Sequence, residues 1–192
     1  MPLNIPILLT WLRIVLIPLM IAVYYVPVFW TFGLGRDQAA TLIFVVAGAT
    51  DWLDGYLARR LNQTSSFGAF LDPVADKLMV AAALIMLVQL GRVDAIIAAI
   101  IIGREITISA LREWMAQIGA HKSVAVSMIG KIKTTAQMAA IPLLLYHASV
   151  DGVSVQELGT WLIYIAAVLT LWSMGYYMRM AWPQIVEQGK KR

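Results

Sequence analysis

The chain has 192 residues, of which 60% are hydrophobic and only 14% are charged, and its mean hydropathy is +0.76. A soluble domain has about 25% charged residues, so the composition excludes that class and indicates an integral membrane protein. The net charge is +4, but the basic residues are scattered over predicted helix ends, which favours attraction to anionic lipid over nucleic-acid binding. The chain has no cysteine, which excludes disulfide and thiolate chemistry.

Apolar stretches of the length needed to cross a bilayer, about 20 residues each, recur along the chain. The connections between them are short and contain no soluble domain or repeat. We therefore expect an all-α fold in one domain covering residues 1–192, built as a bundle of about six transmembrane helices. The residues between the last two stretches, 149–157, are predicted to form a turn. The stretches lie near residues 6–29, 39–58, 70–90, 93–114, 124–147 and 158–181.

Basic residues fall mainly near one set of helix ends. The opposite set carries Arg36 and Arg92, which are offset by acidic residues. By the positive-inside rule, both termini and the second and fourth loops are predicted to be cytoplasmic.

A carboxylate motif lies between residues 51 and 76, with the pattern D-x-x-D-G-x-x-A-R followed by G-x-x-x-D-x-x-x-D. An ionised aspartate in a membrane-spanning segment costs roughly 2.5 kcal/mol or more, so each one is a functional-site hypothesis. Asp51 and Asp54 are three residues apart, and Asp72 and Asp76 are four apart, so each pair shares one helix face. The short segment between the pairs predicts antiparallel neighbouring helices with converging carboxylates.

Four converging carboxylates can hold two divalent cations. Such hard oxygen ligands favour Mg²⁺ or Mn²⁺ over Zn²⁺, and Mg²⁺ commonly keeps phosphate oxygens in its shell, so a phosphorylated substrate is expected. The alternative is that the aspartates only form buried ion pairs. Four aspartates set against Arg59 alone would leave excess negative charge, which argues against that alternative.

Small residues accompany the carboxylates at Gly55, Ala58 and Gly68. They would let a bulky ligand approach the helix backbone, and the guanidinium of Arg59 would bind a phosphate. The alternative for the three small residues is close helix packing, which is their common use in membranes.

A second group of basic residues comprises Arg104, Arg112, Lys131 and Lys133, near predicted cytoplasmic helix ends. Arg104 follows the apolar run 96–102, so it is expected inside a cavity, where a cation suits an acceptor that carries phosphate. The alternative is that Arg112 and the lysines extend towards lipid headgroups.

The segment from Asp51 to Asp76 matches every defined position in the signature of the CDP-alcohol phosphotransferase family. The chain most resembles the bacterial members of that family that form phosphatidylglycerophosphate. Further matching segments include Asn4-Ile5-Pro6 with Leu9-Thr10 and Arg13, Arg104-Glu105, Ser109 to Trp114 and Gly130 to Gln137.

This resemblance implies a six-helix enzyme of the bacterial cytoplasmic (inner) membrane, usually dimeric, with a polar cavity open to the cytoplasm. The implied reaction converts CDP-diacylglycerol and sn-glycerol 3-phosphate into phosphatidylglycerophosphate and CMP. The resemblance makes the four aspartates metal ligands and Asp76 also the general base. It places Gly55, Ala58, Arg59 and Gly68 around the CDP group.

Two rival functions stay open. The same chemistry could use inositol phosphate, serine or phosphatidylglycerol as the acceptor, although the segment from Arg104 to Gln137 favours glycerol 3-phosphate. A membrane carrier could also bind cations through intramembrane carboxylates. Such carriers usually show inverted repeats and broken helices, and this sequence shows neither sign.

Overall fold

A computed structural model of the protein describes residues 4–27, 31, 33–61, 65–118, 128–150 and 153–190. Within these residues the fold is helical, which confirms the predicted all-α class with six helices. A two-stranded antiparallel hairpin joins the last two helices. The elements are α1 (Ile5–Ala22), α2 (Arg36–Arg60), α3 (Ser66–Gln89), α4 (Ala95–Gln117), α5 (Met128–Tyr146), β1 (Ser149–Val150), β2 (Val153–Ser154) and α6 (Val155–Lys190).

Local hydrogen bonds fix where α3 and α4 begin. The side chain of Ser65 accepts a hydrogen bond from the Gly68 N–H, and the side chain of Asp94 accepts one from the Ile96 N–H. Each bond satisfies a backbone donor that the first turn of a helix leaves unpaired. Between the two helices, Gly91 adopts a left-handed φ of 69°, which suits a residue just after a helix end. These contacts set the register of the site residues on α3 and α4.

The connection between α5 and α6 differs from the predicted turn. Ser149 pairs with Ser154 and Val150 with Val153, and α6 begins at Val155, inside the segment predicted as a turn. The helix also continues to Lys190, beyond the predicted end at residue 181. The apolar run therefore identified only the hydrophobic part of α6, because polar residues lengthen a helix without lengthening its apolar stretch.

Helix α1 lies between α2 and α3. It packs against both of them more extensively than they pack against each other, while α5 pairs with α6, and α4 packs against α6 and α3. The main core includes Met20, Phe44, Leu84, Ile101 and Ile141, and α6 adds Ile163 and Ala167, so all six helices contribute to it. A smaller core between α4 and α6 lies near Ile108. The contacts of α1 with both α2 and α3 determine how the carboxylate part of the site is built.

Large apolar side chains cover much of the outer surface, among them Val15, Trp52, Phe70 and Trp172. A soluble protein rarely exposes so much apolar surface, whereas a membrane protein turns it towards lipid. Among the described helices, one stretch, Val155–Val186, is long and apolar enough to cross a membrane, and Pro6–Ala22 is a shorter apolar helix. Charged residues interrupt α2, α3 and α4, so the number of membrane crossings stays a prediction.

Candidate active site

Arg13 of α1 joins the two aspartates of α2. Its Nη1 lies 2.7 Å from Oδ1 of Asp51, and its Nη2 donates to Oδ2 of Asp54 at 2.5 Å. Arg13 is fully buried and Asp54 is 3% exposed, whereas Asp51 is half-exposed. Because an unpaired buried charge is strongly destabilising, Arg13 ties the positions of both carboxylates to α1.

Thr10 makes the corresponding contact with α3. Its hydroxyl Oγ1 donates to Oδ1 of Asp72 at 2.6 Å, and the same oxygen lies 3.1 Å from the carbonyl oxygen of Pro6. A hydroxyl has one hydrogen to donate, so the two acceptors share it. Thr10 and Arg13 are three residues apart on one face of α1. One helix face therefore holds carboxylates from both α2 and α3.

This arrangement corrects two predictions. We expected α2 and α3 to pack as direct neighbours, but they contact each other only slightly, and each packs mainly against α1. We also counted Arg59 as the one arginine available to the carboxylates, but the structure adds Arg13, which pairs with Asp51 and Asp54, while the side chain of Arg59 lies outside the described residues. The loop length allowed direct packing of α2 on α3 and carried no information about α1. A charge in the apolar first helix was the missed signal, because the cost argument applied to the aspartates applies equally to Arg13.

A cavity of about 660 Å³ borders the carboxylates and is formed by α2, α3 and α4. Asp51, Asp72 and Asp76 line it from α2 and α3, and Arg104 and Arg112 line it from α4. A smaller cavity of about 60 Å³ shares Asp76 with the first and reaches α5. Anionic and cationic side chains thus line the same cavity. The anionic ones suit metal ions that bind phosphate groups of a substrate, and the cationic ones suit direct contact with a phosphate.

Arg104 is held by side chains from α4 and α6. Its Nη1 lies 3.3 Å from Oε1 of Glu105, and its Nη2 donates to Oγ of Ser173 at 3.0 Å. Its guanidinium lies 5.7 Å from the centre of the Tyr177 ring, and the exposed Arg112 lies 5.3 Å from the same ring. Tyr177 therefore positions both arginines through cation–π contacts.

Lys133 approaches Glu105 from α5. It is 1% exposed, and its Nζ donates to Oε1 of Glu105. The alternative that this lysine extends towards lipid headgroups is therefore wrong. Lys131 is also on α5, but its side chain lies outside the described residues, as do those of Ala58 and Arg59 on α2.

The two glycines of the motif occupy different settings. Gly55 is half-buried and directly follows Asp54 on α2. At Gly68 an added Cβ would lie 3.1 Å from Oγ of Ser65, the side chain that caps α3. The cap therefore favours glycine at position 68 whether or not a ligand contacts it.

The carboxylates suit a hard divalent cation by chemistry, although they are not gathered into a metal cage. Across the described residues, no group of three or more histidine, cysteine or acidic side chains is placed to hold a metal ion. Arg13 and Thr10 hold three of the four aspartates in this arrangement. Three carboxylates nevertheless line one cavity, and Asp51 and Asp72 are charged neighbours of the fourth, Asp54. Clustered carboxylate oxygens are the ligands that Mg²⁺ and Mn²⁺ prefer.

Five residues that position the site were not among those predicted to form it. Thr10, Arg13 and Glu105 were noted only as part of a resemblance, and each is polar or charged within an apolar helix, which was sufficient signal. The remaining two, Ser173 and Tyr177, lie four residues apart on α6, so they share a face of that helix. Uncharged polar residues are common in membrane helices, so their spacing alone was a weak signal.

Comparison with known proteins gives a consistent match over nearly the whole chain. Residues 3–172 match the family model described as CDP-alcohol phosphatidyltransferase. A protein of Shigella flexneri serotype 5b (strain 8401) and one of Escherichia coli (strain K12) are each 50% identical to the chain over 190 residues, which is 98% of this chain and 100% of the relative. Both are named CDP-diacylglycerol–glycerol-3-phosphate 3-phosphatidyltransferase.

Proposed function

Because the chain belongs to the CDP-alcohol phosphatidyltransferase family, we propose that it transfers the phosphatidyl group of CDP-diacylglycerol to sn-glycerol 3-phosphate. The products are phosphatidylglycerophosphate and CMP. The observation that supports this most directly is the cavity shared by three aspartates and two arginines. The aspartates suit metal ions that bind the pyrophosphate of CDP-diacylglycerol, and the arginines suit the phosphate of the acceptor.

Asp51, Asp54, Asp72 and Asp76 would hold the divalent cations, Mg²⁺ or Mn²⁺ and two in number. When bound, such ions neutralise the pyrophosphate and make CMP a better leaving group. The role of Arg13 and Thr10 is to orient the carboxylates from α1, because they contact Asp51, Asp54 and Asp72 directly. Contacts of this kind fix the direction in which a ligand oxygen points.

Asp76 acts as the general base in this proposal. Its side chain lines both cavities, so it lies where the carboxylate motif meets the arginines of α4, and it is also a charged neighbour of Lys133 on α5. It takes the proton from the acceptor hydroxyl as that oxygen forms a bond to phosphorus and the bond to CMP breaks. Asp72 contacts Thr10 in the structure, so Asp76 is the α3 carboxylate without that constraint.

Gly55, Ala58, Arg59 and Gly68 would surround the CDP group, as the family resemblance implies. Gly55 follows Asp54 directly, which places backbone without a side chain next to the carboxylates. Arg59 is one turn beyond Gly55 on α2, at a spacing that would let it reach a phosphate of the same ligand.

Arg104, Arg112, Lys131 and Lys133 would bind the phosphate of glycerol 3-phosphate. Arg104 and Arg112 line the cavity, and Lys133 is buried beside Arg104 through their common partner Glu105. Buried arginine is well suited to this task because its planar guanidinium matches the geometry of a phosphate group.

The proposed setting is the bacterial cytoplasmic (inner) membrane, crossed by six helices of a single domain that covers residues 1–192. The exposed apolar surface and the apolar helix Val155–Val186 support a membrane position. The loop charges support a cavity open to the cytoplasm. The family resemblance implies a homodimer, with CDP-diacylglycerol, glycerol 3-phosphate and membrane lipids as its other partners.

Release of CMP tests this proposal. The purified protein in detergent is given CDP-diacylglycerol and Mg²⁺ with glycerol 3-phosphate, inositol phosphate, serine or phosphatidylglycerol. Release is expected only with glycerol 3-phosphate, and Asp72→Asn should abolish it. Asp94→Asn is the matched control, because Asp94 caps α4 away from the cavity and asparagine caps equally well. Release with another acceptor, or with none, would contradict the proposal.

A further inference from the structure

Two buried cations share a single carboxylate oxygen. Arg104 and Lys133 come from different helices, their side chains are 7% and 2% exposed, and both pair with Oε1 of Glu105. Within the described parts of the chain, neither cation forms an ion pair with another acidic residue. Asp76 also acts electrostatically on Lys133, and Arg112 acts on Arg104, so the positive charges at this place still outnumber the negative ones. Such an imbalance around buried side chains is costly unless another anion offsets it.

A hydrogen-bond donor without a partner lies at the same place. The Nε of Arg104 is buried and has no hydrogen-bond partner among the described residues, although Arg104 uses both of its Nη atoms. Buried donors are nearly always paired, so an unpaired arginine donor beside a cavity indicates a missing acceptor. An anion with several acceptor oxygens would supply that acceptor, and a phosphate monoester carries about −1.5 to −2 charges and three such oxygens.

We propose that Glu105 is a resident counter-ion, which holds Arg104 and Lys133 in place until the phosphate of the acceptor replaces it. This inference rests on the proposed function, because it takes glycerol 3-phosphate as the incoming anion. Glu105 is a positioning residue in this scheme. It keeps two buried cations compensated in the empty site, and its carboxylate moves aside when a dianion with more acceptor oxygens arrives.

The displaced carboxylate has a cation to receive it. Lys77 of α3 lines the same two cavities as Glu105, and it forms no ion pair among the described side chains. Glu105 is also a charged neighbour of Asp76. When the lipid product leaves with its phosphate, Glu105 returns to Arg104 and Lys133. It competes with the product for the cations and so favours its release.

Titration with inorganic phosphate tests the exchange directly. The full-length protein in detergent, with EDTA present, is titrated with orthophosphate in a calorimeter. Glu105→Gln keeps the shape of the side chain and removes the competing charge. It should tighten orthophosphate binding about tenfold. A close charge pair at a buried interface changes the affinity by about a factor of ten or more, and the variant removes one that competes with phosphate. The KM for glycerol 3-phosphate should fall with it, while the KM for CDP-diacylglycerol should not change.

If Glu105 only held the two cations in position, Glu105→Gln would weaken orthophosphate binding instead of tightening it. Weaker or unchanged orthophosphate binding in Glu105→Gln would overturn the inference. Glu105→Asp, which keeps the charge and shortens its reach, should shift binding in the same direction by less, and it serves if the glutamine variant does not fold. Glu157→Gln is the matched charge control, since Glu157 is exposed and about 24 Å along α6 from Ser173.

Two further comparisons separate this inference from its premises. Glycerol 3-phosphate should displace bound orthophosphate from the wild-type protein. Displacement by dioctanoyl phosphatidate alone would assign the site to a lipid phosphate and overturn the inference. Orthophosphate binding needs no turnover. If the titrations give the expected result but no CMP is released, the proposed reaction alone is rejected. If CMP is released but Glu105→Gln does not bind orthophosphate more tightly, the role of Glu105 alone is rejected.

Discussion

Arg13 and Asp54 are 41 residues apart in sequence, yet Nη2 of the arginine donates to Oδ2 of the aspartate at 2.5 Å in the interior of the bundle. The same guanidinium reaches Asp51, so a residue of the first helix compensates the first carboxylate pair of the motif. A cation binding at these carboxylates would share them with Arg13. Protein stability and metal affinity are therefore linked through this residue.

Arg13→Gln should destabilise the metal-free protein by about 3 kcal/mol, because removing one partner leaves a buried charge uncompensated. Thermal unfolding in detergent with EDTA measures the loss. Adding Mg²⁺ should recover a larger share of stability in the variant than in the wild type, since the ion replaces the lost positive charge. Arg36→Gln is the control, because Arg36 is exposed and, among the described residues, its one hydrogen bond goes to the Val26 carbonyl oxygen. An equal response to Mg²⁺ in both proteins would contradict the linkage.

Thr10→Val should weaken divalent-cation binding about tenfold with little change in fold. Valine fills the same volume but cannot donate to Asp72, and loss of a contact that orients a metal ligand typically lowers affinity by a factor of 10 to 100. Mn²⁺ binding measured by electron paramagnetic resonance would show the effect. Thr10→Ser retains the hydroxyl and should bind Mn²⁺ like the wild type. Equal weakening in both variants would show that packing, and not the hydrogen bond, is responsible.

Asp76→Asn should lower kcat about 100-fold or more, in the range expected for removal of a general base. Single-turnover CMP release at saturating Mg²⁺ measures it, and Mn²⁺ binding measured alongside distinguishes lost proton transfer from lost metal. Turnover near the wild-type value with metal bound would remove Asp76 from the role of base. Lost Mn²⁺ binding would make it chiefly a ligand.

Arg104→Ala should raise the KM for glycerol 3-phosphate about tenfold or more, since hydrogen bonds to charged groups contribute about 1.5 to 3 kcal/mol each. The KM for CDP-diacylglycerol should change little. Arg112→Ala should have a smaller effect in the same direction, because Arg112 is exposed and water weakens the interaction of an exposed cation with a phosphate. Equal changes in both Michaelis constants would contradict an acceptor-specific role for Arg104.

Much of the fold was predictable because long segments rich in apolar residues, separated by short polar ones, are visible in sequence. The number of helices and the helical class followed from them. The position of α1 did not, because loop lengths limit which helices can touch but do not choose among the possible packings. The β1–β2 hairpin was missed because strands of two residues each are too short to leave a periodic pattern in the sequence.

The site was predictable where charge stood against an apolar background. Asp51, Asp72 and Asp76 do line one cavity, and Arg104 does lie inside it. Contacts that depend on the packing of distant helices were not accessible, such as those of Ser173 and Tyr177 with the arginines of α4. Glu105 was overlooked because an acidic residue beside Arg104 is easily taken for a local ion pair. Its contact with Lys133, 28 residues away, appears only in three dimensions.

The placement of Thr10 and Arg13 on α1 bears on how the protein is made. Chains are synthesised from the N-terminus, so Arg13 is made before any of the four aspartates. The carboxylates of α2 therefore emerge into surroundings that already contain their counter-ion, and α3 completes that half of the site. Residues of the other half come from α4, α5 and α6, which follow. The acidic side chains of α2 can thus be compensated during synthesis, before the whole bundle is assembled.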